Sequence, residues 1–243
     1  ACPFDPVITE VPAFMPMSGA TYSNLIIHGG VRVIDKDIHN VTYQDCDFRD
    51  ADFLVHVRGN DTIEPSGWRF IDCTFKGATP EPDRNHSSGV LLFGVSDFRF
   101  LRCAFDRNGW TESGKRSNRN HNIYLSNVGN IHIVDCKIFN AAAQGIKARG
   151  VRSLSVRGCE FAGNLIDIKT DSRDSGGPIW IDKCVFHSEG GIDSNNSEYC
   201  WSLHFEHHAG ESKLELVNIN NCLWDAQPTM KNAVLLTLIG SGI

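Results

Sequence analysis

Two short segments of the chain carry side chains suited to proton transfer and to the binding of negative charge. They read His121-Asn122-Ile123-Tyr124 and Ile146-Lys147-Ala148-Arg149. Tyrosine, histidine and lysine can serve as general acids or bases, and arginine binds carboxylates through two parallel hydrogen bonds. These groups can act together only if the fold brings the two segments side by side.

A cysteine followed after one or two residues by an aromatic residue recurs along the chain. Seven of the nine cysteines occur in this phrase, namely Cys46, Cys73, Cys103, Cys136, Cys159, Cys184 and Cys222. The intervals between them are 27, 30, 33, 23, 25 and 38 residues, and a period of this size indicates stacked structural units. We therefore predict a buried ladder of small apolar side chains. A disulfide between the remaining two cysteines, Cys2 and Cys200, is left open.

Each unit contains β-rich segments with alternating apolar residues, such as Phe98-Arg99-Phe100-Leu101 before one cysteine and Gly145–Arg149 before another. Asn and Gly occupy the joints, where the backbone turns sharply. Short strands, tight turns and an inward ladder of Cys and Phe resemble the right-handed parallel β-helix of the pectate-lyase-like superfamily, over roughly residues 20–225. The resemblance identifies no narrower family. It implies an all-β solenoid of about seven coils in a single domain, 1–243, with an N-terminal cap over 1–20 and a C-terminal strand or cap over 226–243.

The cysteines provide a reference point for aligning the first strands of successive coils. Three apolar residues, Val90, Ile123 and Ile146, each lie 13 residues before their cysteine. Because side chains alternate along a strand, the residues between such inward positions point outward. This alignment places Tyr124 beside Lys147 and Ser126 beside Arg149.

The same alternation in the following coils predicts Asp167, Lys169 and His204 as outward residues. The result is one exposed surface, which we call the polar strip: Asn122, Tyr124, Lys147, Arg149, Asp167, Lys169, Asp171 and His204. Neighbouring coils lie about 4.8 Å apart, so these side chains converge. An amide, a phenol, several cations and carboxylates together suit an acidic sugar chain.

In the superfamily that the chain resembles, this surface often binds uronic-acid polysaccharides and cleaves them by β-elimination. This chemistry needs a base, a cation that neutralises the uronate carboxylate and an acid, and we predict Lys147 as the base, Arg149 as the carboxylate or oxyanion partner and Tyr124 as the acid. Lys169, one coil away, favours the deprotonated form of Lys147. The predicted substrate-binding residues are His121, Asn122, Asp167, Lys169 and His204. A uronate epimerase begins with the same proton abstraction and is not separated from a lyase here.

Other interpretations of these residues remain open. The cations can belong to a solvated β-face with ion pairs between coils, and Asn122 to a ladder of stacked amides. Four acids, Asp167, Asp171, Asp174 and Asp193, suit a Ca²⁺ site or a glycoside hydrolase. A zinc site at His204 and His208 is disfavoured because the segment is predicted as strand and loop, so no metal or other cofactor is predicted beyond the Ca²⁺ alternative. A non-catalytic glycan-binding, adhesin or phage-tail β-helix is the third class.

Composition narrows the classes of partner. The net charge of −6 argues against nucleic acid, and no apolar run is long enough to cross a bilayer. An acidic polysaccharide is the predicted partner, and a secreted or periplasmic location is predicted with it. The apolar segment Ala233–Ile239 is predicted as a last buried strand, with a homo-oligomer interface as the alternative.

Overall fold

The structure is a computed structural model that describes residues 8–80, 86–114, 119–171, 177–188, 191–192, 198–207, 216–226 and 233–240. Within these residues all regular secondary structure is β, and the strands form three long sheets. No helix in the described part of the chain is long and apolar enough to cross a membrane.

The three sheets run along the length of the molecule. Sheet A contains Thr9–Pro12, Leu25–His28, Asp47–Arg49, Thr74–Lys76, Ala104–Asp106, Lys137–Phe139, Glu160–Ala162, Val185–Ser188 and Leu223–Ala226. Sheet B contains Thr21–Ser23, Thr42–Gln44, Ser66–Ile71, Ser96–Leu101, Gly129–Val134, Leu154–Arg157, Ile179–Asp182 and Val217–Asn220. Sheet C contains Val31–Ile34, Phe53–Arg58, Ser88–Phe93, His121–Ser126, Gln144–Arg149, Ile166–Asp171, Glu198–His207 and Ala233–Gly240, with Gly191–Ile192 paired antiparallel to Glu198–His207.

The chain visits the sheets in the repeating order C, B, A, and each strand pairs in parallel with the equivalent strand of the next coil. The predicted all-β, right-handed parallel β-helix is therefore confirmed, with close to the expected seven coils. One additional coil precedes the first cysteine phrase. There Leu25 occupies the place of the cysteine, since Ile26 pairs with Asp47 and Ile27 with Phe48.

The residue before each cysteine turns the chain from sheet B into sheet A. It has a positive φ in every coil of the phrase, at Asp45, Asp72, Arg102, Asp135, Gly158, Lys183 and Asn221. Left-handed backbone is accessible mainly to Gly, Asn and Asp. This requirement accounts for the Asp, Asn and Gly that precede most of the cysteines in the sequence.

The cysteines form the predicted internal ladder. Six of them are buried with free thiols, namely Cys46, Cys73, Cys103, Cys136, Cys159 and Cys184. Each thiol lies near backbone carbonyls, as where Cys73 Sγ donates to the oxygens of Ile71 at 3.3 Å and Tyr43 at 3.5 Å. Burial raises the pKa of the Cys136 thiol well above its ordinary value, so this thiol stays protonated. The proposed pair of Cys2 and Cys200 lies outside the described side chains.

Stacked aromatic rings fill the interior beside the cysteines. Phe75 stacks between Phe48 and Phe105, with ring centroids 4.8 Å and 4.7 Å away. A second stack places Phe70 between Tyr43 and Phe100 at 5.3 Å and 5.0 Å. These rings are fully or almost fully buried. Their contacts hold each coil in register with the next.

Strands cover both ends of the described helix. Thr9–Pro12 pairs with Leu25–His28 and adds the first strand to sheet A. Ala233–Gly240 pairs in parallel with Glu198–His207 and extends sheet C. The C-terminal segment is therefore a strand, as one of the two interpretations predicted. A homo-oligomer through this segment stays a prediction.

The aromatic stack predicts a large loss of stability on truncation. We expect Phe75→Ala to lower the free energy of unfolding by about 3–5 kcal/mol, because a fully buried ring is replaced by a cavity. Leu223→Ala is the matched control, since Leu223 is 60% exposed, and we expect a change of at most about 0.5 kcal/mol. Urea titrations followed by circular dichroism measure both. Equal stability of the two variants would contradict a packed aromatic interior.

Candidate functional site

Sheet C brings the two motifs of the sequence together. Tyr124 pairs with Lys147, and Lys147 pairs with Lys169 in the next coil. Arg149 pairs with Ser126 on one side and with Asp171 on the other. The alignment by counting back from cysteine is therefore confirmed. It also extends into the following coil, where Lys169 continues the row of Lys147.

The cations of the polar strip are half-buried and differ in their surroundings. Lys147 Nζ lies 3.9 Å from Asp171 Oδ2, and the two side chains are only 16% and 7% exposed. A carboxylate at this distance favours the protonated ammonium. Arg149 and Lys169 are also half-buried in the same part of the sheet. Lys147 and Lys169 thus continue the row of Tyr124, and Arg149 lies in the neighbouring outward row.

His121 lies against Tyr124 at the start of the same strand. Their ring centroids are 5.4 Å apart, and His121 is 6% exposed. Burial lowers the pKa of His121 to about 3, and the nearby charge of Lys147 adds to this effect. Lys169 acts in the same direction. His121 is therefore a neutral imidazole at neutral pH, placed between a phenol and a cluster of cations.

The expectation that Asn122 and Asp167 point outward is wrong. They are 0% and 1% exposed and occupy equivalent places at the corner between sheets A and C. Asn108 Nδ2 donates to Asn122 Oδ1 at 2.8 Å, and Asn164 Nδ2 donates to Asp167 Oδ1 at 2.9 Å. The alternation rule fails here because the preceding corner folds over the first residues of the strand. Both residues stabilise the turn and are shielded from a ligand.

Gly145 lies between these two residues in the same row and shows how little space the corner leaves. A Cβ at this position would meet the backbone oxygen of Asp167 at 2.7 Å and Asn164 Nδ2 at 3.1 Å. In this row Asn122 and Asp167 each bond the asparagine of the preceding corner. Gly145, between them, has no side chain and so leaves space for Asn164. Asn122 therefore bonds the turn, but the row is not a ladder of stacked amides, because Gly145 separates Asn122 from Asp167.

His204 has the predicted register but not the predicted exposure. It pairs with Lys169 in the expected row, yet it is 2% exposed. The strand Ala233–Gly240 continues sheet C beyond it, with Thr237 as its next neighbour, so His204 does not lie at the open end of the row. Among the described residues no three His, Cys, Asp or Glu side chains gather as metal ligands. Asp174, Asp193 and His208 lie outside the described residues.

The alignment missed the N-terminal half of this face. Arg32 pairs with His56, and Arg58 pairs with Phe93, in the same two outward rows as Lys147 and Arg149. Counting back from the cysteine does not align the strand Phe53–Arg58, because its inward residue Val55 lies 18 residues before Cys73 instead of 13. A loop between Gly59 and Pro65 adds the difference.

A cleft of about 500 Å³ opens at the corner between sheets A and C in the N-terminal coils. It is lined by Gly29, Asp50, Ala51, Asp52, Gly77, Thr79, Pro80 and Glu112. His28 contacts Asp50 across its margin, with Nδ1 2.6 Å from the carboxylate. The lining is acidic and therefore ill-suited to a polyanion, so the cleft does not belong to the polar strip.

Comparisons with known proteins agree with the fold. The family model described as the right-handed β-helix region matches residues 17–165 and 54–223. A mutant of the periplasmic alginate epimerase AlgG is 13% identical with a TM-score of 0.48, covering 89% of this chain and 46% of that chain. The gp42 tailspike of Acinetobacter phage vb_AbaP_AS12 is 13% identical with a TM-score of 0.50, covering 92% and 43%. The chain thus spans less than half the length of either structure. A search of curated protein sequences finds no match.

The buried corner predicts a pH-dependent stability. Burial raises the pKa of Asp167 from 3.8 to about 8, against an opposing hydrogen bond from Asn164. The folded state therefore holds a proton that the unfolded state releases, and stability falls as pH rises from about 4 to about 8. We expect Asp167→Asn, which needs no proton, to raise the melting temperature by an amount that grows over this range. Asp61→Asn, at an exposed position, is the control. A pH-independent difference for Asp167→Asn would contradict a protonated carboxyl.

Proposed function

Because the chain belongs to the right-handed β-helix family, we propose that sheet C binds an acidic polysaccharide and abstracts a proton from one of its uronate units. The observation that carries this proposal is the pair of His121 and Tyr124 beside the cations Lys147 and Arg149. Such a set combines a proton acceptor, a proton donor and positive charge on one surface. Uronate β-elimination and uronate epimerisation both need these three functions.

The cations act on the carboxylate of the bound sugar. The proton next to a carboxylate is hard to remove, because the developing negative charge spreads onto an anionic group. Lys147 and Arg149 offset this charge in the transition state. The ion pair with Asp171 keeps Lys147 protonated and in place. We therefore reassign Lys147 from base to carboxylate partner.

His121 takes the role of base in this scheme. It is neutral, close to Tyr124 and shielded from water. Burial is the main cause of its low pKa, and the charges of Lys147 and Lys169 lower it further. A bound uronate carboxylate offsets this second contribution, so the imidazole becomes more basic when the substrate binds. Tyr124 then donates a proton, either to the leaving oxygen in a lyase or to the opposite face of the sugar carbon in an epimerase.

A glycoside hydrolase is less well supported by the same surface. Hydrolysis requires two carboxyl groups on either side of the scissile bond. Of the acids predicted for that role, Asp167 is buried at the corner and Asp171 is paired with Lys147. Acidic glycans lie outside the cytoplasm, so this function is consistent with a secreted or periplasmic location, which is part of the proposal.

Conservative variants separate the two roles proposed for Lys147. We expect Lys147→Arg to retain at least about a tenth of the turnover and Lys147→Ala to lose at least about a hundredfold, because arginine keeps the charge but cannot act as a base. We expect His121→Ala and Tyr124→Phe to lose at least about a hundredfold in kcat. The ultraviolet absorbance of unsaturated uronate reports elimination, and proton NMR of the sugar reports epimerisation, on a panel of uronic-acid glycans.

The outcomes discriminate between the candidate functions. Equal inactivity of Lys147→Arg and Lys147→Ala would return the role of base to Lys147. New reducing ends without either signal would indicate hydrolysis. Tight binding without turnover would identify a non-catalytic glycan-binding protein. Arg69→Ala on sheet B serves as the surface control, since this exposed residue lies on a different face.

A further inference from the structure

We infer that Arg32, Arg58 and Phe93 form a second subsite for an acidic sugar on the N-terminal coils of sheet C. The inference rests on the proposed function and deepens it, because it assigns the direction and the minimum length of the glycan. The chain of sugars would lie along the helix axis, across the strands. Its reacting unit would sit at Lys147 and a distant unit at Arg58.

The contact between Arg58 and Phe93 prepares this subsite. The guanidinium carbon of Arg58 lies 5.3 Å from the centre of the Phe93 ring, in the neighbouring strand. A guanidinium stacked on an aromatic ring loses mobility but keeps the N–H groups of its edge for a carboxylate. Arg58 is exposed and Phe93 is half-buried. The pair therefore presents an oriented cation to solvent.

The protein balances only part of the charge on this face, where Lys147 lies against Asp171. From Val31–Ile34 to Gln144–Arg149 the two outward rows of sheet C contain no Asp or Glu. Within the described part of the chain, Arg32, Arg58 and Arg149 form no ion pair with an acidic side chain.

Most arginines elsewhere on the described surface are paired with an acid, although Arg69 and Arg107 form no such pair within the described residues. Five such pairs are present among the described residues, namely Arg49–Asp47, Arg99–Asp97, Arg102–Asp72, Arg152–Glu64 and Arg157–Asp182. Pairing is therefore the common state of arginine in this protein. The unmatched cations of sheet C are available to an external anion.

His56 lies between the two arginines of the subsite. It lies in the same row as Arg32 and directly before Arg58 in the alternation of its strand. Burial lowers the pKa of His56 to about 4, and the charges of Arg32 and Arg58 add to the effect, while Asp52 opposes it. The imidazole is therefore neutral, and the subsite carries two permanent charges that do not vary with pH.

The spacing of the two subsites sets the length of ligand that can use both. Arg58, Phe93, Ser126 and Arg149 follow one another in a single row. Three coil steps separate the two arginines, or about 14 Å at the spacing of neighbouring strands. A short uronate oligomer reaches only one of them. A longer oligomer contacts both, and its second contact is gained without a second loss of translational freedom.

The test compares oligomers of different length on variants of the distant subsite. Mannuronate and galacturonate oligomers, from disaccharide to octasaccharide, are titrated calorimetrically into the wild type and the Arg32→Ala/Arg58→Ala double variant. We expect the octasaccharide to lose at least about tenfold in affinity and the disaccharide to change less than about twofold. Phe93→Ala should give an intermediate loss for the octasaccharide, because Arg58 then loses its support. Arg69→Ala is the matched control, and thermal unfolding confirms that each variant is folded.

Two results would overturn the inference and are distinguishable from failure of the proposed function. If the double variant binds the octasaccharide as tightly as the wild type while Lys147→Ala still abolishes turnover, the second subsite is absent and the proposed function stands. If losses in affinity are equal for short and long oligomers, the arginines act as general positive charge and do not form a subsite. If the wild type binds no uronate oligomer of any length, the proposed function fails and the inference with it.

Discussion

The parallel pairing of each coil with the next is the constraint on which the other features of this protein depend. Because every strand bonds the equivalent strand of its neighbour, residues at one position of the repeat form straight rows about 4.8 Å apart. Inside, the rows are cysteines and stacked aromatic rings such as Phe48, Phe75 and Phe105. Outside, the same geometry brings Tyr124, Lys147 and Lys169 together, although they are far apart in sequence.

The same rows explain which neighbours in adjacent coils could be predicted from the sequence. The cysteine phrase marks one position in each coil, so counting back from it aligned Tyr124 with Lys147 without any structural information. The method failed where a loop changed the count, as before Cys73, and there Arg58 was missed. The rows are therefore predictable only between loops.

The second limit of the sequence-based prediction concerned burial. The alternation of side chains predicts which residues of a strand point outward, but it does not predict which of them the preceding corner covers. Asn122 and Asp167 have outward parity, but the preceding corner covers them, through Asn108 in one coil and Asn164 in the other. Nothing in the period of the strand indicates this covering. The asparagines at the corners do indicate this covering in the sequence, because Asn108 and Asn164 each form a hydrogen bond with the strand that follows. A residue aligned with a glycine of the next coil, as Asn122 is with Gly145, faces a crowded corner.

The distribution of charge distinguishes the outward face of sheet C from other parts of the described surface. Stability alone favours pairing each surface cation with a nearby acid at small gain, as Arg102 does with Asp72 and Arg157 with Asp182. On the two outward rows of sheet C, acids are missing up to Asp171, so the cations repel one another, and the charges of Lys147 and Lys169 add to burial in lowering the pKa of His121. An unliganded surface of this kind is less stable than a paired one. Under the proposed function, a bound polyanion would offset this repulsion along the same rows.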